Sequence, residues 1–315
     1  MANATPSRLG QFNAAGDVQA LFLKVFSGEI LTAFDRVSVF RPRSTVRVIP
    51  SGKSAQFPVT GLAQAAYHVP GTEITGQTIR AGERIITIDD LLLAPAFISN
   101  IDEAMNHYDV RSIYSDDIGQ ALAKTYDQNV ARVGLLNARG TNILDDLQPG
   151  AVAIDAGYAT DGTKLWQAVF NAGITLDTKD IPSQDRSAFF RPVQYALIVQ
   201  SGNPINRDLN GWTRDNGSIA QGNVDMVNSI EIVKTNNLPG ADDTNNLDIP
   251  ASRRANYSNT YGLIQHKSAV GTVQLQDVTM ESAYDIRRQG TLMVGKYLVG
   301  HGSLRPESGV ELRIA

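Results

Sequence analysis

The apolar positions change period several times along the chain, and each change predicts an element. Behind Asp17, a residue suited to an N-cap, Val18, Leu21, Phe22, Val25, Phe26, Ile30 and Phe34 recur at helical spacing. Gly28 interrupts them, so residues 18–34 read as one kinked helix or two short ones. Residues 1–16 are small, polar and aperiodic, the pattern of an extended arm. From Val37 to Phe40 the pattern turns strand-like.

Residues 41–84 follow neither period. They carry Pro42, Pro50, Pro58 and Pro70, with Gly52, Gly61, Gly71, Gly76 and Gly82, and their large apolar residues are few and scattered. So many breakers forbid a helix, and so few anchors cannot build a core. The segment is either a disordered linker or a long two-stranded loop that leaves its own subunit and lies on a neighbour. Lys53 to Val59 and Arg84 to Asp89 both read as strands and favour the loop. A lone hairpin is marginal in water, so a partner would have to stabilise it.

The strongest helices come next. Asn100 and Glu103 resemble a capping box opening a short helix through Tyr108. Ser115 reads as the cap of a second, with Asp116 and Asp117 at its positive end. Ile118, Leu122, Tyr126, Val130, Val133 and Leu136 form one stripe, the expected core of this helix. Asp117, Gln120, Lys124, Gln128 and Arg132 mark the opposite face, suited to water or to polar contacts, and Gly140 ends the run. A helix over 116–138 would be roughly 35 Å long at about 1.5 Å per residue, long enough to act as a spine.

Beyond residue 150 the pattern is mixed. Thr163 to Leu176 reads as a helix with Leu165, Trp166, Val169 and Phe170 inward, and Tyr195 to Val199 as a buried strand. Asn203 and Pro204 suit an N-cap and first helical position, while 210–223 and 236–256 read as loops rich in Asn, Asp and Gly. Ile230 to Val233 and Thr272 to Val278, with Val273 and Leu275 on one face, read as strands. Val310, Leu312 and Ile314 alternate with Glu311 and Arg313 as a half-buried closing strand. Helices and strands intermix without a βαβ repeat, so the class is α+β.

Composition narrows the function. The 315 residues are 42% hydrophobic and only 19% charged, below the usual quarter, and such a chain is able to hide much of its surface against something else. A net charge of −4 argues against tight DNA binding, although a weakly acidic wall suits enclosing DNA without adhering to it. The absence of cysteine removes disulfides, thiolate nucleophiles and Cys-based zinc sites, and fits folding in a reducing cytoplasm. No signal peptide and no apolar run of membrane-spanning length is present in this sequence.

Catalytic chemistry finds little support. His68, His107, His266 and His301 show no i, i+4 pairing, and no HExxH, GxSxG, Walker or complete GxGxxG pattern occurs. Asp89–Asp90, Asp116–Asp117, Asp145–Asp146 and Asp242–Asp243 are adjacent carboxylates that normally point apart, and the loop from Asp242 to Asp248 lacks the Gly and closing Glu of a calcium loop. Arg41, Arg43, Arg47 and Lys53 form a basic run, with doublets at Arg253–Arg254 and Arg287–Arg288. A solvated face, contact with a neighbouring subunit, and a DNA groove stay open, the last weakened by the lack of interleaved aromatic residues.

Six stretches carry a resemblance: LFLKVFSGEILTAFDR (21–36), SGKSAQFPV (51–59), AMNHYDVRS (104–112), IEIVKTNNLPG (230–240), HKSAVGTVQL (266–275) and GHGSLRPE (300–307). In this order, they resemble the major capsid proteins of short-tailed phages, the podoviruses of the coliphage T-seven-like (autographivirus) group. The resemblance implies the Hong Kong 97 phage fold, with an N-terminal arm over 1–50 and an extended loop over 51–90. It further implies a peripheral domain over 91–149 and 276–315, holding the spine helix and the C-terminal strands near 291–314, and an axial domain over 150–275. The implied role is a structural one, self-assembly into pentamers and hexamers of an icosahedral head around double-stranded DNA. Implied partners are other copies of the chain, a scaffolding protein, a portal at one vertex, packaged DNA by weak non-specific contact, and an external cement protein, with no membrane. The implied location is the virion shell, assembled in the host bacterial cytoplasm. The family supplies no catalytic, metal or cofactor residues. Its prototype cross-links Lys to Asn, but Lys53 sits near the loop base and is not offered for that role. Arg41, Arg43, Arg47, Lys53, Tyr67, His68, Arg80 and Arg84 are the expected subunit contacts. A soluble binding or tail-associated module is the alternative, and an enzyme the third reading.

Overall fold

The structure is a computed structural model that describes residues 34, 37–74, 76–89, 91–100, 110–201, 217–218 and 222–315. The extended stretch over 1–16, the kinked helix before Phe34, the short helix after Asn100 and the Asn203–Pro204 cap lie outside these residues. Three α-helices are described: α1 (Val110–Arg139), α2 (Gly162–Thr178) and α3 (Pro192–Gln200). The strands are β1 (Thr45–Val48), β2 (Ser54–Thr60), β3 (Ala81–Thr87), β4 (Leu92–Ser99), β5 (Ala151–Ile154), β6 (Arg186–Phe190) and β7 (Gly217–Ser218). They continue with β8 (Asn223–Val224), β9 (Met226–Val227), β10 (Ile230–Lys234), β11 (Thr260–His266), β12 (Val270–Asp285), β13 (Gly290–Ser303) and β14 (Gly309–Arg313). The chain divides into two compact units, and α1 passes from one to the other between Tyr126 and Asp127.

In the first unit β12, β13 and β4 lie side by side, with β13 and β4 antiparallel from Gly290↔Ser99 to Tyr297↔Leu92. Alternation puts Met293, Tyr297 and Val299 on the buried face. Gly295 on that face lets α1 approach: a Cβ there would lie 2.5 Å from Ile118 Cγ2 and 3.2 Å from Leu122 Cδ1. The rings of Phe34, Tyr126 and Tyr297 close the same core, with centroids 5.3 to 5.8 Å apart.

The second unit is a six-stranded sheet in the order β5-β14-β11-β6-β10-β9. On one face α2 and α3 bury Leu165, Ala168, Val169, Ala172, Leu176, Tyr195 and Ile198 against the sheet's Ala188, Phe190, Ile264 and Leu312. Asp161 caps α2 by accepting from the Thr163 amide at 2.8 Å. The C-terminal half of α1 covers the other face, where a Cβ at Gly134 would come 2.8 Å from Leu263 Cδ2. With both faces covered, every residue of β6 is buried.

Several expectations need correction. The run Tyr195 to Val199 is helical, within α3, because Pro192 occupies its first turn and the buried strand is the preceding Arg186–Phe190. Phe170 points outward, 42% exposed, while Ala168, Ala172 and Leu176 supply the inward face of α2 beside Leu165 and Val169. Helix α1 already includes Val110, so Ser115 is a buried helical residue and not a cap. Its stripe is buried except for Leu136, which is half-buried while Leu135 is enclosed. Arg132, expected on the polar face, is buried and paired with Asp243 at 3.0 Å, because this half of α1 has protein on more than one side. The closing strand β14 belongs to the six-stranded sheet, between β5 and β11, and not with the strand near residue 291 as expected. Its Glu311 is therefore fully buried, held by Arg139 through two 2.6 Å bonds.

Candidate functional site

The segment of breakers forms a hairpin. β2 and β3 pair antiparallel from Ser54↔Thr87 to Thr60↔Ala81, and Pro58 is tolerated because a two-stranded ribbon is all edge. Its root is fixed inside the second unit. Ile86 is buried where Gly271 and Gly302 leave room: a Cβ on either would fall within 2.9 Å of its side chain. Asp89, just past β3, pairs with the buried Arg253, and the Ile88 amide donates to Lys53 O at 2.9 Å. Higher up, Gly82 lies against Ile143 and Leu144, Arg84 donates to Thr141 O at 3.2 Å, and Arg80 meets Asp145 at 3.4 Å.

Beyond that bracket no described residue of the second unit covers the hairpin. Every described residue from Leu62 to Arg80 is exposed, including Leu62, Tyr67, Val69, Ile74 and Ile79. Five large apolar side chains on the projecting arms form a surface that water disfavours. In the first unit β4 turns Leu93 and Phe97 outward as well, after an exposed Leu91 just before the strand, with Leu292 opposite Phe97 and Val294 opposite Pro95 on the same face.

The expected contact residues divide by their surroundings. Tyr67 stands fully exposed and His68 exposed near the hairpin tip, and Lys53 is exposed at the root. Arg47 donates to Gln56 O at 2.9 Å and lies over the Phe57 ring. Arg43 forms a bidentate pair with Glu231 at 2.5 and 2.8 Å, which holds that carboxyl below its usual range. Arg41 is half-buried, and burial lowers the pKa of Arg84. Sequence reasoning passed over Ile86, the Arg253–Asp89 pair and the outward row of β4. Alternation of Leu91, Leu93 and Phe97 was the available signal for the last.

Several of the histidines and paired carboxylates are engaged in holding structure. His301 is buried with Nδ1 2.9 Å from Thr272 Oγ1, and His266 Nδ1 meets Ser268 Oγ at 2.8 Å. Asp242 accepts from Thr244, and Asp243 pairs with Arg132. Among the described residues no three His, Asp or Glu side chains gather as metal ligands. A cleft of about 450 Å³ in the second unit is lined in part by Arg43, Glu231, Arg186 and Lys267, of which the first two neutralise each other.

A two-unit α+β subunit with a long helix and a rooted, unsupported hairpin has the architecture of a phage capsid subunit. The capsid structure of the cyanophage P-SCSP1u superposes with a TM-score of 0.79 at 43% identity, covering 100% of this chain and 99% of that one. The mature capsid of bacteriophage PhiM1 shares the fold at 17% identity, with a TM-score of 0.72 over 88% of this chain and 87% of its own. The chain belongs to the Gp10A-like major capsid protein family, whose profile matches residues 56–313. The major capsid protein of Enterobacteria phage T3 is 36% identical over 327 residues, 95% of this chain and 93% of that protein. That of Escherichia phage T7 is also 36% identical, over 94% and 92%. The Hong Kong 97 phage fold and the capsid role expected from the resemblance both hold.

Proposed function

We propose that the chain closes into pentamers and hexamers of an icosahedral head around double-stranded DNA, and that the hairpin between Ser54 and Thr87 is its main grip on a neighbouring copy. The observation that carries this reading is the exposed apolar set from Leu62 to Ile79 on a hairpin whose root is fixed in the second unit. Identical copies meeting through unlike surfaces close into rings, and rings into a shell. Each contact is weak enough to release errors, and the number of contacts makes the finished shell stable.

In this reading the first unit is the peripheral body and the six-stranded sheet with its helices the axial body. Tyr67, His68, Arg80 and Lys53 meet the neighbour, while Arg43 is spent on Glu231 within the chain. A scaffolding protein guides assembly in the bacterial cytoplasm, a portal takes one vertex, and DNA touches the inner wall weakly, consistent with the net charge of −4. The protein works without catalytic turnover. The test is deletion of residues 62–79: the subunit should keep its melting temperature and fail to form stable shells. Normal shells would refute the grip.

A further inference from the structure

The projecting hairpin keeps one register over its whole length although most of it has no backbone ladder. The ladder runs from Ser54↔Thr87 to Thr60↔Ala81, and the Gly61 amide still donates to Arg80 O at 2.8 Å. At the far end Thr72 N donates to Val69 O at 3.2 Å, with Pro70 and Gly71 between them and Gly71 at φ +93°. Counting on from Thr60↔Ala81 without a slip brings Val69 opposite Thr72, so turn and ladder share a register. Pro followed by a positive-φ Gly is the signature of a type II turn. That turn twists against the strands it joins and splays them, unlike the primed turns that suit two-residue hairpins. The arms between turn and ladder are not strands.

One side chain spans this gap. Gln77 Nε2 donates to Gln64 O at 2.7 Å, and Gln77 Oε1 accepts from the Gln64 amide at 3.1 Å. The same register places Gln64 opposite Gln77. The carboxamide thus presents one donor and one acceptor to the facing backbone, as a peptide group would in a ladder. Among the described residues, no other hydrogen bond crosses the arms between Gly61 and the turn.

We propose that Gln77 is a positioning residue for assembly: its clip on Gln64 locks the register of the splayed arms and thereby fixes which apolar side chains the hairpin offers to a second copy of the chain. This rests on the reading of the hairpin as the grip on a neighbour. A slip of one residue would turn each side chain of one arm to the other face. Counting on in the locked register sets Leu62 opposite Ile79, and Tyr67 opposite Ile74, as exposed apolar pairs.

The test uses the full chain carrying Gln77→Met, which keeps length and removes both bonds. Amide exchange at Gln64 should speed up about tenfold, the effect of one to two ordinary hydrogen bonds. Shell yield by sedimentation and electron microscopy should fall by a similar factor, with an unchanged subunit melting temperature. Adding Pro70→Asn, which creates a primed-type turn beside Gly71 and lets the arms pair by backbone, should restore the yield without the clip. Normal yield from Gln77→Met while deletion of 62–79 abolishes shells would overturn the clip and leave the grip standing. Normal yield from both would overturn both. Failure of Pro70→Asn to rescue a Gln77→Met defect would show that register is not what Gln77 supplies.

Discussion

Replacing Leu122 by alanine probes the core that α1 shares with its sheet. Leu122 is 1% exposed and packs where Gly295 lets the helix close on β13. The change removes three carbons, about 2.4 kcal/mol at ~0.8 kcal/mol per buried group. The cavity adds to this, because backbone close to the helix and the neighbouring Tyr126 and Tyr297 rings cannot collapse fully into the space. A total of about 3–4 kcal/mol is expected, inside the ~2–5 kcal/mol range of buried leucines. At roughly 2 °C per kcal/mol for a chain this large, the soluble subunit should melt about 6–8 °C lower by calorimetry or circular dichroism. Lys124→Ala, on the exposed side of the helix, should stay within about 0.5 kcal/mol. A Leu122→Ala subunit of normal melting temperature that merely assembles poorly would refute the reasoning, since the stripe would then face a neighbour.

Arg139→Met should cost about 3–5 kcal/mol in the same melting assay, because it strands the fully buried Glu311 carboxylate, and adding Glu311→Leu should recover most of the loss. Burial, with Arg253 nearby, holds the His301 imidazole well below its usual pKa, so it is neutral in the folded chain. The unfolded chain takes up a proton near pH ~6.5 and the folded one does not. Stability from this group is therefore full above that pH and lost as pH falls through and below it, by up to ~1.4 kcal/mol per unit. Urea titrations between pH 7 and 5 should show this loss, and His301→Gln should flatten it, leaving the smaller contribution of His266, which is shifted in the same direction. Arg253→Met should loosen the hairpin root, seen as faster amide exchange at Ile88, while a rate equal to wild type would show the Asp89 pair to be dispensable.

Much of this architecture was legible because it rests on periodicity and on breakers. The hairpin announced itself through prolines and glycines that no core could use, and the α1 stripe through its spacing. What misled was context that a single sequence does not carry. Tyr195 to Val199 is apolar all along, and period does not separate a short buried helix from a strand; Pro192 was the arbitrating signal. Arg132 and Glu311 look like solvent-facing charges until their partners Asp243 and Arg139 arrive, each more than a hundred residues away in sequence. Phe170 reads as core by type, yet the inward row of α2 runs through small residues, Ala168 and Ala172. The contact surface was legible only as a segment. Which side chains it offers depends on a register that Gln77 and the Pro70–Gly71 turn set together, and neither residue type signals that by itself.

If this subunit builds a shell by laying its hairpin on a neighbouring copy, cryo-electron microscopy of the particles formed by the expressed full chain will show it. Closed shells with five- and six-fold clusters are expected, in which Leu62, Tyr67 and Ile74 are buried against an adjacent subunit. Particles whose hairpins stand free in solvent, or a monodisperse monomer that never assembles, would contradict it.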